Sequence, residues 1–296
     1  MAAGLVGWHL LLFFCFEAAQ RFAQPRLSGE RIGIYGPPES LIDWCEPNHV
    51  VSLLVAEPWN SVTSLFFVAA GALGHGLHRE LPPEFGAAWA AVALVGVGSV
   101  AFHATLTYEM QLLDELPMVW LGAASAVVAA GNRPVAARRA RVASVWAVSI
   151  SAVVFFCAIS RRGSAEEAVA RALGSFTFAA CELYGLHACW VLGSDPAGPK
   201  DARRLFNVGF LGFLLAEAAW VVDLSACGTL QRLPWGLPNP QFHAWGWHGG
   251  TAYCFHCLLV MQLVYRWRRD GTPGTVAWTY GVPYAARAPA ASGKAD

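Results

Sequence analysis

The chain predicts an all-α membrane protein, a bundle of seven transmembrane helices, and three observations carry that reading. Hydrophobic residues make up 56% of the 296 and charged residues only 14%, with a mean hydropathy of +0.43, whereas a soluble domain carries about a quarter charged residues. Seven nearly charge-free segments each approach the ~20 residues that a helix needs to cross ~30 Å of hydrocarbon. The basic residues are distributed unevenly between the connecting loops. Twenty basic and twenty acidic residues leave no net charge, so nothing in the balance points to a nucleic-acid partner or a polybasic tether.

Taken in order, residues 1–24 hold an apolar stretch, Leu5 to Phe16, followed by the small residues Ala18 and Ala19. This is a short signal-like hydrophobic segment without a basic start, or else an interfacial helix. Residues 25–55 form an acidic loop. The seven spans, at 56–78, 84–106, 110–131, 142–160, 166–193, 203–222 and 243–266, make up a helical domain over 56–266. Residues 267–296, with "DGTPG" and "APAASGKAD", read as a disordered tail. With the N-terminus lumenal, thirteen Lys and Arg fall on the cytosolic side and six on the other, with Arg171 inside a span. The positive-inside rule then puts the C-terminus in the cytosol.

A polar group inside a bilayer costs several kcal/mol unless it is partnered, which makes each one in these spans a functional candidate. Ser99 and His103, in "GVGSVAFHATL", are four apart and share a helical face. Asp114 sits in "MQLLDELPMVW", Asp223 closes the sixth span, and His243 and His248 open the seventh in "QFHAWGWH". In the predicted topology all of these lie at the lumenal ends of their spans. Three imidazoles and a water would match the open tetrahedral arrangement of catalytic zinc, with a carboxylate nearby to move protons. His243 and His248, however, are five apart and would diverge by about 140° on a regular α-helix. A π-bulge, or a helix that begins only after His243, would bring them together.

Ahead of the first span, "LIDWCEPNHVVSLLVAEPWN" offers the hard oxygens of Asp43, Glu46, Asn48 and Glu57. These suit a flexible calcium loop as well as a solvated acidic segment. The eight cysteines include a single CxxC spacing, Cys254 and Cys257, where a zinc ribbon needs two, which leaves buried thiols with room for one bridge.

Four blocks together resemble the alkaline ceramidase family of the CREST superfamily, nearest its type 3, phytoceramidase-like branch. They are "YGPPESLIDWCEPN" with "AEPWN", then "GSVAFHATLTYEMQLLDELPM", "WVVDLSAC" and "QFHAWGWH", spread over Tyr35 to Arg266. The resemblance implies hydrolysis of the ceramide amide to a sphingoid base and a fatty acid. It implies zinc (Zn2+) on His103, His243 and His248, with Ser99 and Asp114 beside it. It also implies calcium (Ca2+) on Asp43, Glu46, Asn48, Glu57 and the Trp44 carbonyl, a Cys45–Cys227 disulfide, and residence in the endoplasmic reticulum or Golgi. The sequence names no protein partner. Two departures stand out: the family's histidine pair is HxxxH, and Val221 occupies a position where the family leads one to expect Asn. A receptor-like relative of the progestin and adipoQ receptors would share the histidines but not "DWCEPN". A hydrolase remodelling GPI lipids would keep the site and change the substrate.

Overall fold

The computed structural model describes residues 31–40, 43–78, 80–131, 134–160, 163–232 and 241–287. The hydrophobic segment expected at 1–24 and the last nine residues lie outside the described residues. The helices are α1 (Pro58–Thr63), α2 (Leu65–Leu77), α3 (Pro83–Thr105), α4 (Tyr108–Ala130), α5 (Pro134–Ser160), α6 (Ala165–Gly193) and α7 (Lys200–Leu230), followed by a π-helical segment, Gln241–Gly249, and α8 (Gly250–Arg269). α1 leads into α2 through Ser64, which keeps helical dihedrals, and the π segment runs into α8 through a helical Gly249. Among the described residues the helices therefore form seven rods.

Proline marks several of the starts. Pro58 opens α1 and Pro83 opens α3, at positions where the missing N–H would have had no intrahelical partner. α3, α4 and α7 are long and apolar enough to cross a membrane. Large apolar side chains also face outward, with Trp146 65%, Phe176 67% and Leu215 64% exposed. An outer surface of this kind is stable against hydrocarbon rather than water. Inside, Phe85, Trp89, Val92, Leu205, Leu259 and Met261 anchor a core shared by α3, α7 and α8.

At one end of the bundle, the segment before α1 lies across the C-terminus of α3. A helix leaves its last carbonyls without partners, and here the loop supplies them. Ala56 N–H donates to Ala104 O and Glu57 N–H to His103 O, both at 2.9 Å, while Glu39 and Ser40 N–H donate to Leu106 O. Leu106 itself ends α3 in the left-handed region. Cys45 is bridged to Cys227 near the end of α7, with the Cα atoms 5.3 Å apart. Cys181, Cys189, Cys254 and Cys257 are free thiols.

At the other end, the tail expected to be disordered from 267 is ordered as far as Arg287. Strands β1 (Gly274–Thr279) and β2 (Val282–Arg287) form an antiparallel hairpin, closed by Tyr280 and Gly281, both at positive φ. Such a two-residue turn matches the twist of paired strands. Gly, Pro and Ala gave the segment a disordered composition, but "TVAWT" and "VPYAA" carry strand-forming residues on either side of that turn. The hairpin is latched to the bundle by buried groups. Ala285 N–H donates to His78 Nε2 at 3.0 Å, His256 Nε2 pairs with Pro283 O at 2.8 Å, and Asp201 accepts from Val276 N–H at 2.7 Å.

Replacing His78 with Ala leaves the Ala285 N–H buried without an acceptor, which costs about 1–3 kcal/mol. The expected outcome is a melting temperature in detergent several degrees below wild type, with new proteolytic cleavage within 274–287. An unchanged melting curve would show that the latch holds nothing.

Candidate functional site: three histidines under an acidic loop

The interlocking of α3 and α4 begins with a proline. Pro117 has no N–H to offer the carbonyl of Leu113, four residues earlier. That carbonyl faces Gly98, where an added Cβ would fall 2.2 Å from it and 3.0 Å from the Cα of Asp114. Only glycine permits so close an approach, and the contact sets Ser99 beside Asp114, whose carboxyl is hydrogen-bonded by the Ser99 hydroxyl. Ser64 in turn donates to Ser99 Oγ at 2.9 Å. Asp114 Oδ1 is buried without a partner.

One turn after Ser99, His103 meets His243 and His248. The ring centroids are 5.5 Å apart for His103 and His243, 5.1 Å for His103 and His248 and 4.6 Å for His243 and His248. One nitrogen from each ring lies within 4.8 Å of the other two, and among the described residues no other metal-ligating cluster is so compact. The five-residue spacing is resolved by the backbone. "QFHAWGWHG" is π-helical, and an i→i+5 hydrogen-bond pattern places residues five apart on one face.

A short helix holds all three rings. The Glu57 carboxylate accepts from His103 Nδ1 at 2.5 Å, Asn60 Oδ1 accepts from His243 Nδ1 at 2.8 Å, and Thr63 Oγ1 lies 2.9 Å from His248 Nδ1. The Thr63 hydroxyl donates to Trp59 O at 2.8 Å, so towards His248 it accepts. Each Nδ1 therefore carries the hydrogen, and each Nε2 keeps its lone pair. The Nε2 of His243 is buried with no partner. Trp44 stacks on the His243 ring at 3.6 Å.

The acidic residues lie immediately behind. Glu46 accepts from Trp59 N–H at 2.8 Å and Asn60 N–H at 2.9 Å, capping the first turn of α1 as an anion does at a helix N-terminus. Burial pushes its carboxyl up to about 7 against those two hydrogen bonds. Asn48 donates to Asp43 at 2.9 Å, while Glu57 Oε1 and Asp223 Oδ1 are buried acceptors without donors. Asp223 accepts from Cys45 N–H at 3.1 Å and so joins the loop to α7 beside the disulfide. The carboxylates of Asp43, Glu46 and Glu57 are near enough to repel one another, although they do not converge on one point as the histidines do.

The structure thus brings together Ser99, His103, Asp114, His243 and His248, with Asp43, Trp44, Glu46, Asn48 and Glu57 in the adjoining loop. Sequence reasoning missed Asn60 and Thr63. Their signal was present as the polar stripe Glu57, Asn60, Thr63 at three-residue spacing in "EPWNSVT". Below the histidines an apolar cavity runs between the helices, lined by Phe67, Val95, Leu121, Leu186, Phe213 and Leu259 among others.

Fold and site define a helical membrane protein with a buried histidine cluster at the end of an apolar cavity. The chain belongs to the ceramidase family, whose model matches residues 36–286. It is 48% identical to mouse alkaline ceramidase 3 over 93 residues, 31% of this chain and 35% of that protein. Similarity to the yeast alkaline ceramidase YPC1 is 44% over 90 residues, 30% of this chain and 28% of that one. These matches span about a third of each relative or less. Mouse alkaline ceramidase 1 is 24% identical over 288 residues, covering 88% of this chain and 95% of the relative.

Gly98→Val would force α3 away from the Leu113 carbonyl. Overpacking of this kind costs about 1–3 kcal/mol, so the variant should melt several degrees lower. Equal melting temperatures would mean that the approach at Gly98 has slack.

Proposed function

We propose that the protein is a zinc-dependent intramembrane amide hydrolase that cleaves ceramides to a sphingoid base and a free fatty acid. The observation that carries the reading is the set of three clustered imidazoles with every Nδ1 engaged by an acceptor, which leaves each Nε2 its lone pair, beside a buried carboxyl and above an apolar cavity. This donor set fits zinc. Three neutral histidine nitrogens with outer-shell acceptors leave a fourth position open for water or substrate, and the orphaned Nε2 of His243 is the kind of buried polar atom that a ligand satisfies. When bound, the ion supplies Lewis acidity, acidifying a water and polarising the amide carbonyl.

The residues of this chain do the rest. Asp114 takes the proton of the attacking water as general base and returns it to the amide nitrogen as the carbon–nitrogen bond breaks. Ser99 orients Asp114 and can turn its hydroxyl towards the oxygen on which negative charge develops. The apolar cavity takes the hydrocarbon chains. Calcium is proposed for the acidic loop, with Asp43, Glu46, Asn48, Glu57 and the Trp44 carbonyl as ligands. The unsatisfied Glu57 oxygen and the repulsion of its carboxylate by those of Glu46 and Asp43 support a cation there. The seven rods are proposed as seven spans, N-terminus lumenal and C-terminus cytosolic, in the endoplasmic reticulum or Golgi.

Purified protein is expected to release sphingoid base from a ceramide panel and to carry about one zinc per chain. Asp114→Asn should lower kcat by roughly 10²- to 10⁴-fold while keeping its zinc, and His103→Ala should lose both. Equal product release by wild type and Asp114→Asn would defeat the hydrolase reading.

A second expectation concerns the bridge between the two sites. Glu57→Ala removes the acceptor of His103 Nδ1, so zinc content at limiting free metal should drop by 10- to 100-fold in affinity. The thermal stabilisation given by added calcium should vanish as well. If Glu57→Ala binds both ions like wild type, the acidic loop is a solvated segment and the calcium proposal fails.

A further inference from the structure

Resting on the hydrolase reading, we infer that Glu217 is a specificity residue whose carboxyl hydrogen-bonds a hydroxyl carried on either chain of the substrate close to the amide. Glu217 lies within α7, a helix long and apolar enough to cross a membrane, where an ionisable group is costly unless it has a task. The proposed reaction makes no use of it. It is half-buried, and among the described residues its carboxyl has no hydrogen-bonding or charged partner.

Its neighbours on α7 locate it. Leu211, Leu214, Leu215 and Ala218 form the exposed stripe of the helix, while Phe213, Ala216 and Asp223 are buried. Glu217 follows Phe213 by four residues and precedes Trp220 by three, and so shares their side of the helix. Phe213 lines the apolar cavity. Trp220 reaches the site, its ring 6.1 Å from Trp44 and 6.0 Å from Trp247, and Trp247 also lines the cavity.

The depth follows from the crossing of α7 and α8. A Cβ on Gly250 would come 3.0 Å from the Ala216 Cβ, so Ala216 is level with Gly250, two residues beyond His248. Glu217 therefore lies within about one turn of the histidine cluster, on the side of α7 that carries Phe213. A side chain on a helix leans towards the N-terminus, which on α7 is towards Phe213 and the cavity. A ceramide with its amide at the histidines would put its first chain carbons at this level. Methylene groups there offer a carboxyl nothing, whereas a hydroxyl donates to it. The 1- and 3-hydroxyls of the base are common to all ceramides, so a hydroxyl that discriminates between substrates has two sources, the 4-position of the sphingoid base and the 2-position of the acyl chain.

The test compares kcat/KM for three ceramides of equal chain length: a dihydroceramide, its 4-hydroxy-base analogue and its 2-hydroxyacyl analogue. The substrates are given to full-length wild type, Glu217→Leu and Glu217→Gln in detergent micelles. Wild type should favour at least one hydroxylated substrate over the dihydroceramide by on the order of 10-fold, as a hydrogen bond to a charged group allows. Glu217→Leu should bring that ratio near one, largely through KM, and Glu217→Gln should retain part of it. The substrate whose advantage disappears identifies the source of the hydroxyl. Because each ratio is read within one preparation, partial misfolding of a variant cancels. A wild-type ratio near one, or a ratio unchanged in both variants, overturns the inference. Failure of wild type to cleave any of the three instead overturns the hydrolase reading, and this inference falls with it.

Discussion

Everything at the site depends on three hydrogen bonds made by one six-residue helix and the residue before it. Glu57, Asn60 and Thr63 each accept from the Nδ1 of a different histidine. Histidine in water exchanges freely between tautomers, and a site that needs all three Nε2 lone pairs aimed at one point must suppress the alternatives. An acceptor at each Nδ1 does so, and it fixes ring orientation as well as proton position. The three acceptors sit on a single rigid element, so they cannot drift independently. α1 is therefore the template of the site, although none of the three needs to touch the substrate.

Such a template is itself in need of anchoring, since six residues do not make a stable helix alone. Glu46 binds the first two free amides of α1, and the backbone of Ala56 and Glu57 bonds to the last carbonyls of α3. The Cys45–Cys227 bridge and the Asp223 carboxylate tie the same loop to α7. The acidic loop is thus held at three helix ends, and Glu57 faces both ways, towards His103 and towards the acidic residues. A cation placed in the loop would alter the charge felt by the carboxylate that orients His103. The two proposed metals are coupled through that one side chain.

The histidines and their companions were legible because a bilayer interior makes every polar residue conspicuous. Ser99, His103 and Asp114 lie in uninterrupted helical sequence whose facing relations follow from a period of 3.6. Convergence of His243 and His248 was legible only as a choice between backbones, since the number of residues per turn is decided by packing that a single segment does not encode. Asn60 and Thr63 escaped notice for the opposite reason: polar residues at the edge of a span look like ordinary interface residues until their partners, more than 180 positions away, are in place. The hairpin at 274–287 was misread because composition outweighed a short alternating pattern. Its partners, His78, Asp201 and His256, lie just past the end of α2 and on α7 and α8.

The block "WVVDLSAC" runs from Trp220 to Cys227 on α7. Val221 stands where the family resemblance leads one to expect Asn, which removes a polar group from the level of Trp220. Four residues earlier, on the same side of α7, stands Glu217. A shift of four residues displaces a side chain by about 6 Å along a helix axis, roughly the length of five carbon–carbon steps in an extended chain. A polar group at position 217 rather than at 221 would change which part of a lipid is recognised while leaving the reacting groups in place. The histidines, Asp114 and Ser99 are constrained by one another and by α1, whereas the cavity side of α7 carries no such geometric demand. Changes in substrate choice are therefore expected on α7 before they are expected at the histidines.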